Sequence, residues 1–219
     1  MKNKKWSWID LVLLIIAAIP IFAAILVYDQ LPEQLATHFN VYGEPDSFTS
    51  KFAFIIIFSI VVILVPFLVK LSKYIDPKRA NYIKFERAFE ITRIAITVLL
   101  SGVYGIMILY NLGYNIDIIM VVYILVGLNF IILGNYMGQF RHNYFIGVRL
   151  PWTLSNEEVW RKTHRLAGPV MMISGILLLV CIFLPEFIAL WILVIIVLSS
   201  VMIPTIYSYV LHQRLENNK

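Results

Sequence analysis

Six stretches of this chain run for close to twenty residues with almost no charge, and clusters of charged residues separate them. A helix rises about 1.5 Å per residue, so about 20 apolar residues cross a hydrocarbon layer of roughly 30 Å. The pattern predicts an all-α polytopic membrane protein with spans at Trp8–Tyr28, Phe52–Ser72, Arg93–Tyr110, Ile116–Met137, Gly168–Leu184 and Phe187–Leu211. Gly168 to Leu211 is twice too long for one crossing, so Pro185-Glu186 is read as the turn of a helical hairpin. Only 14% of the residues are charged, against about 25% in a soluble domain, which leaves no room for a separate soluble domain. The run Ile9 to Tyr28 is too long for a signal-peptide core and is read as an uncleaved first helix.

The basic residues fix the expected orientation. The N-terminal tail holds Lys2, Lys4 and Lys5; the loop from Lys70 to Arg93 holds seven basic residues, the loop from Gly138 to Ala167 five, and the C-terminal tail two. Lys51 is the one basic residue elsewhere. The positive-inside rule therefore predicts cytoplasmic N- and C-termini and places residues 29–51 on the outer side of the membrane. It also accounts for the net charge of +5 without invoking nucleic acid. The single cysteine, Cys181, is read as a packing residue inside an apolar run. Two parts are expected: an N-terminal two-helix unit, 1–75, and a four-helix unit, 76–219, with its patterned loop at 138–167.

In the outer loop, Pro32, Gly43 and Pro45 argue for turns, with a short strand within Leu35–Val41. In the second loop, Tyr82, Phe85 and Phe89 share one helical face, opposite Lys84, Arg87 and Glu90, as in an interfacial helix leading into the third span. In the fourth loop, Ser155 followed by Glu158 reads as a capping box, after an extended approach at Pro151-Trp152. Trp152 and Trp160 suit the headgroup layer. Asn129 and Asn135 are expected to bond between helices, and Gly134 with Gly138 to allow a close approach.

Two runs carry a resemblance. Leu31-Pro-Glu-Gln-Leu-Ala-Thr-His-Phe-Asn-Val-Tyr-Gly-Glu-Pro-Asp46 resembles a bacterial membrane domain of unknown function with a proline, a His-x-Asn element and a Gly-x-x-Asp element. The run Asn143 to Gly168, with Gly147-Val-Arg149 and Pro151-Trp152, resembles the SdpI family. The two domains commonly share one chain in this order. The resemblance implies a membrane immunity and signalling protein that protects bacteria against a secreted antimicrobial peptide. Such a protein senses the peptide outside and binds a transcriptional repressor inside.

Glu33, His38, Asn40, Gly43 and Asp46 form the outer candidate site. Three readings stand beside one another. The first is a turn scaffold with Asx-type bonds from Asn40 and Asp46 and a positive φ at Gly43. The second is a metal site using His38 and Asp46, with irregular spacing and no second histidine. The third is an acidic and aromatic docking surface for a cationic or amphipathic peptide. The inner candidates are Asn143, Tyr144, Gly147, Arg149, Pro151, Trp152, Trp160, His164 and Arg165. They are read as a platform for a protein partner or as an interfacial helix held by anionic lipid. Arg149 is a candidate partner for Asp76, Glu86 or Glu90, which would tie the two inner loops.

No HExxH, GxSxG, P-loop or dinucleotide fingerprint is present, and no cofactor is expected. Asp10 and Asp117 lie at span ends, and the mid-span regions read as nearly charge-free. A small transporter or flippase, and a metal-dependent membrane enzyme, remain as alternatives to the immunity reading.

Overall fold

The computed structural model describes residues 6–217. Lys2, Lys4, Lys5 and Lys219, counted above, lie outside the described residues. Among the described residues, six helices are long and apolar enough to cross a membrane. They are α1 (Trp8–Leu26), α2 (Lys51–Ile75), α3 (Glu86–Asn111), α4 (Ile118–Met137), α6 (Glu157–Cys181) and α7 (Glu186–Asn217). A short helix, α5 (Pro151–Ser155), precedes α6, and a two-stranded hairpin, β1 (Gln34–Phe39) and β2 (Pro45–Ser50), joins α1 to α2. The chain is a helical polytopic membrane protein.

The described residues divide into two compact units, 6–68 with 93–125, and 69–92 with 126–217.

In the first unit, Ser7 is extended and caps α1, and its N–H donates to the Asp10 carboxylate at 2.7 Å. The core joins Ala17 and Ala24 of α1, Phe54 and Val62 of α2, and Tyr104, Met107 and Ile108 of α3, with Leu31 and Leu35 from the connecting segment. Tyr104 packs against Phe54 and Phe58, and its hydroxyl lies 3.3 Å from Ser59 Oγ. Arg93 corrects the picture of charge-free spans. Because α3 begins at Glu86, Arg93 lies two turns inside the helix rather than in a loop. Its Nη2 donates to Asp10 Oδ1 at 2.7 Å, and neither side chain is exposed. Arg93 Nε also donates to the carbonyl of Pro66, at 3.3 Å.

In the second unit, the aromatic face predicted to lie on lipid is buried instead. Tyr82 and Phe85 sit in a 3-10 stretch, Arg79–Phe85, that runs straight into α3. They join Ala88, Phe89, Met137, Phe140, Trp160 and Ala167 in one core. Trp160 is therefore a core residue, 1% exposed, not a headgroup anchor. Its indole N–H donates to the Phe140 carbonyl at 2.9 Å.

Two further expectations change. The cap of α6 is Asn156, whose Oδ1 accepts from the N–H groups of Glu158 and Val159, while Ser155 Oγ donates back to the Trp152 carbonyl. Asn156 takes over because Ser155 is already the last residue of α5, and Pro151 opens that helix at its first turn instead of forming an extended approach.

Helices α4 and α6 meet at glycines. A Cβ on Gly134 would come 2.7 Å from the Gly168 carbonyl oxygen, and one on Gly175 would come 2.5 Å from that of Gly127. The pairs Gly127–Gly175 and Gly134–Gly168 put two facing glycines seven residues apart on each helix. That is two turns, so one stripe of backbone contact runs between the helices. Gly138 is not part of the stripe; a Cβ there would sit 3.8 Å from Arg165. Asn129 is buried, whereas Asn135 is exposed near the end of α4. Helix α6 turns back into α7 over residues 182–185, and Cys181 is buried at that end.

Candidate functional site

The first candidate is the hairpin. Strands β1 and β2 pair antiparallel, from Gln34 with Ser50 to Phe39 with Pro45, with irregular register around His38. Strand β2, rich in polar residues and opened by Pro45, carries no period-2 hydrophobic signal, so only β1 was foreseeable. Asn40 builds the turn. Its Oδ1 accepts from Tyr42 N–H at 2.9 Å and Glu44 N–H at 3.0 Å, and its Nδ2 donates to Glu44 Oε2 at 3.1 Å. Gly43 has φ of +76°, as the turn reading requires. Asp46 departs from that reading, because its carboxylate is taken by His38 instead: Nδ1 and Oδ1 lie 2.5 Å apart across the strands. Glu33 pairs with Lys51 at 3.0 Å, and Lys51 also donates to the Leu31 carbonyl at 3.1 Å, closing the base of the hairpin.

Asn111, which the sequence gave no reason to single out, holds the hairpin from below. Its amide oxygen accepts from Ala36 N–H at 2.8 Å and its nitrogen donates to the Ala36 carbonyl at 3.2 Å. One side chain thus occupies the free edge of β1 as a neighbouring strand would. Beside it a cavity of about 210 Å³ opens, with Thr37, His38 and Phe39 on one wall and Val103, Met107 and Ile118 among the residues opposite. Val41, Tyr42 and Phe48 are exposed on the same hairpin. The result is an apolar recess with His38, paired to Asp46, on its wall. Among the described residues, no three His, Cys, Asp or Glu side chains converge, so His38 and Asp46 supply two metal-capable groups and no third.

The second candidate is the loop leading into α5 and α6. Asn143 has no exposure and uses its whole side chain. Oδ1 accepts from the N–H groups of Phe145 and Ile146, and Nδ2 donates to the carbonyls of Arg141 and Ile146. His164 is also fully buried. Val148 N–H donates to its Nε2 at 3.0 Å, so Nδ1 carries the proton and donates to the Trp160 carbonyl at 2.8 Å. Its ring stacks on Trp160 at 4.0 Å. Gly147 has φ of +111°, and a Cβ there would fall 2.2 Å from His164 Nε2. Trp152 bonds its indole N–H to Ser208 Oγ of α7 at 2.7 Å.

The link expected from Arg149 is made by other groups. Arg149 donates to the Tyr144 carbonyl at 3.0 Å. Asp76 ties the segments instead, accepting from Tyr144 N–H at 2.8 Å and from the Tyr82 hydroxyl at 2.9 Å. Asn81 adds a bond from Nδ2 to the His142 carbonyl at 2.8 Å. Asp76 was one of three acidic residues in that loop, and Asp76-Pro77 also reads as a plain turn. Of the nine motif residues, Asn143, Trp160 and His164 are internal, while Tyr144, Arg149, Pro151 and Arg165 are exposed.

Residues 139–208 match the SdpI/YfhL protein family, and residues 15–65 match a domain of unknown function, DUF1648. The chain is 28% identical over 210 residues to the immunity protein SdpI of Bacillus subtilis (strain 168), covering 96% of this chain and 99% of that one. The chain is similar to the SdpI family over the matched residues. No solved structure matches it. The motif loop lies within the SdpI match, and the hairpin lies within the DUF1648 match. Six span-capable helices and this similarity make it a multi-pass bacterial membrane protein.

Proposed function

We propose that the chain is a non-enzymatic immunity protein that binds a secreted cationic or amphipathic peptide at its hairpin. The observation that carries the proposal is the recess beside β1, an apolar cavity walled in part by His38, on a hairpin that also exposes Tyr42, Glu44, Asp46 and Phe48. An amphipathic peptide offers the complement: apolar side chains for the recess and basic groups for the carboxylates. The name of the relative, an immunity protein, supports the same reading. The charge distribution, with the hairpin in the basic-poor set of loops, supports an outward position for it.

On this reading the exposed Tyr144, Arg149, Pro151 and Arg165 form the cytoplasmic face for a repressor protein, held in shape by Asn143, Gly147, Trp152, Trp160 and His164. If both ligands bind, linkage requires each to change the affinity of the other.

The test is survival of a toxin-sensitive bacterium expressing the chain and challenged with the killing peptide that the B. subtilis relative confers immunity to. Wild type protects, and Asp46→Ala protects less at equal membrane level. Arg149→Ala separates a role of the cytoplasmic face from one of the hairpin. No protection by well-expressed wild type overturns the proposal. The buried Asp10–Arg93 pair is the one observation that favours a transporter or flippase instead. Flux by purified protein in liposomes, lost in Asp10→Asn, would establish that reading.

A further inference from the structure

A second cavity, of about 290 Å³, lies in the second unit between the segment after α4 and the first turn of α6. Pockets for drug-sized ligands run to about 300–1,000 Å³, so this one suits a smaller guest. Its wall includes Arg141, His142, Glu157, Trp160 and Arg161. Most charged groups nearby are already engaged: Glu158 pairs with Lys162 at 2.8 Å, and Lys73 with Glu86 at 3.0 Å. Arg141, Arg161 and Glu157 are exposed and enter no ion pair among the described residues. His142 is only 6% exposed, and its Nε2 is buried with no hydrogen-bond partner. Buried ring nitrogens ordinarily find a partner, so an orphan on a cavity wall marks a place where one is supplied from outside the chain.

We infer that this cavity binds a phosphate ester bearing an ammonium group, the chemistry of a phosphoethanolamine headgroup. Two guanidiniums offer paired donors for phosphate oxygens. Glu157 offers the countercharge for the ammonium. Basic pockets beside the ends of spanning helices are where lipid headgroups bind, and the cavity begins at Gly138, one residue past the end of α4. This site shares only Trp160 with the motif residues assigned to a protein partner, and it does not depend on the immunity reading.

The experiment uses the full chain purified in detergent micelles doped with phosphatidylethanolamine or phosphatidylglycerol, with retained lipid read by native mass spectrometry. Wild type retains phosphatidylethanolamine over phosphatidylglycerol. Arg141→Gln with Arg161→Gln lowers retention about tenfold, equivalent to about 1.4 kcal/mol. Arg87→Gln with Arg214→Gln, which removes two positive charges that do not line the cavity, leaves retention unchanged. Glu157→Gln removes the preference for the ethanolamine lipid. Soluble glycerophosphoethanolamine that displaces the lipid shows that the headgroup alone is recognised; failure to displace it shows that acyl chains contribute. Equal loss in both arginine doubles, or no preference between the two lipids in wild type, overturns the assignment.

Discussion

Arg93 and Asp10 form an ion pair at 2.7 Å between two side chains with no solvent exposure. The pair joins α3 to the first turn of α1, and Asp10 serves two partners at once: Oδ1 takes Arg93, and Oδ2 takes the N–H of Ser7. Removing two charges from water is costly, and their attraction recovers that cost only while both are present. Asp10→Asn keeps an acceptor for the cap but strands the guanidinium. It is expected to destabilise the protein by about 3–5 kcal/mol, the cost of breaking a buried pair. Asp10→Leu with Arg93→Leu removes both charges and is expected to cost much less than the two single changes combined. Thermal unfolding in detergent, followed by tryptophan fluorescence, measures this, and simple additivity would show that the pair is not coupled.

The glycine stripe between α4 and α6 gives a prediction with an internal control. Gly134→Ala drives a methyl group to 2.7 Å from the Gly168 carbonyl, a distance real Cβ atoms do not adopt. Both sides of that contact are backbone, so the helices have to separate, at a cost of about 1–3 kcal/mol. Gly138→Ala meets its nearest neighbour at 3.8 Å, and Gly138 has no positive φ to strain a side chain, so it is expected to be neutral or slightly stabilising through the unfolded chain. Thermal midpoints of the two variants should differ clearly. Equal midpoints would mean that the helices do not pack at this distance.

The spans were legible because hydropathy over twenty residues is a strong, local signal. The Asn40–Gly43 turn was legible for the same reason, since its chemistry is contained within five residues. What stayed hidden depends on groups far apart in the chain. Asp10 and Arg93 are separated by 83 positions, and each alone reads as a charge at a helix end. Asn111 and Ala36 are 75 apart, and nothing local distinguishes Asn111 from an ordinary end-of-span polar residue. Trp160 misled in the same way. An indole beside basic residues suits a headgroup layer, and only the packing of Tyr82, Phe85 and Phe140 around it makes it a core residue.

His164 and Gly147 form a lock whose parts fail together. Gly147→Ala places a methyl on the His164 ring and asks an L side chain to hold φ near +111°. His164→Ala instead leaves the Val148 N–H without its acceptor. Both are expected to free the loop from α6 while α6 and α7 stay helical. Amide hydrogen exchange at Val148 should quicken by at least an order of magnitude in each variant, with exchange in α7 unchanged. Unchanged protection of Val148 would show that the histidine is not its acceptor.

His142 supplies a pH dependence with a definite sign. Its pKa lies below the ordinary histidine value, first because burial penalises the charged ring and second because Lys78 repels it; Glu157, the Leu154 backbone and Asp76 oppose the shift. The remaining neighbours, Tyr144 stacked on the ring and Trp160 tilted against it, carry no charge near neutrality. With a depressed pKa, the unfolded chain binds more protons than the folded one once pH drops below about 6.5. Stability is therefore full above that pH and falls as acidification proceeds toward the lower folded pKa, where the loss levels off. Thermal midpoints of wild type should decline between pH 7.5 and pH 5, and His142→Gln should show a shallower decline because this ring no longer titrates. Lys78→Gln removes the second cause of the shift, so it should also flatten the wild-type slope, but by less than His142→Gln. Parallel slopes in wild type and His142→Gln would assign the acid sensitivity to other groups.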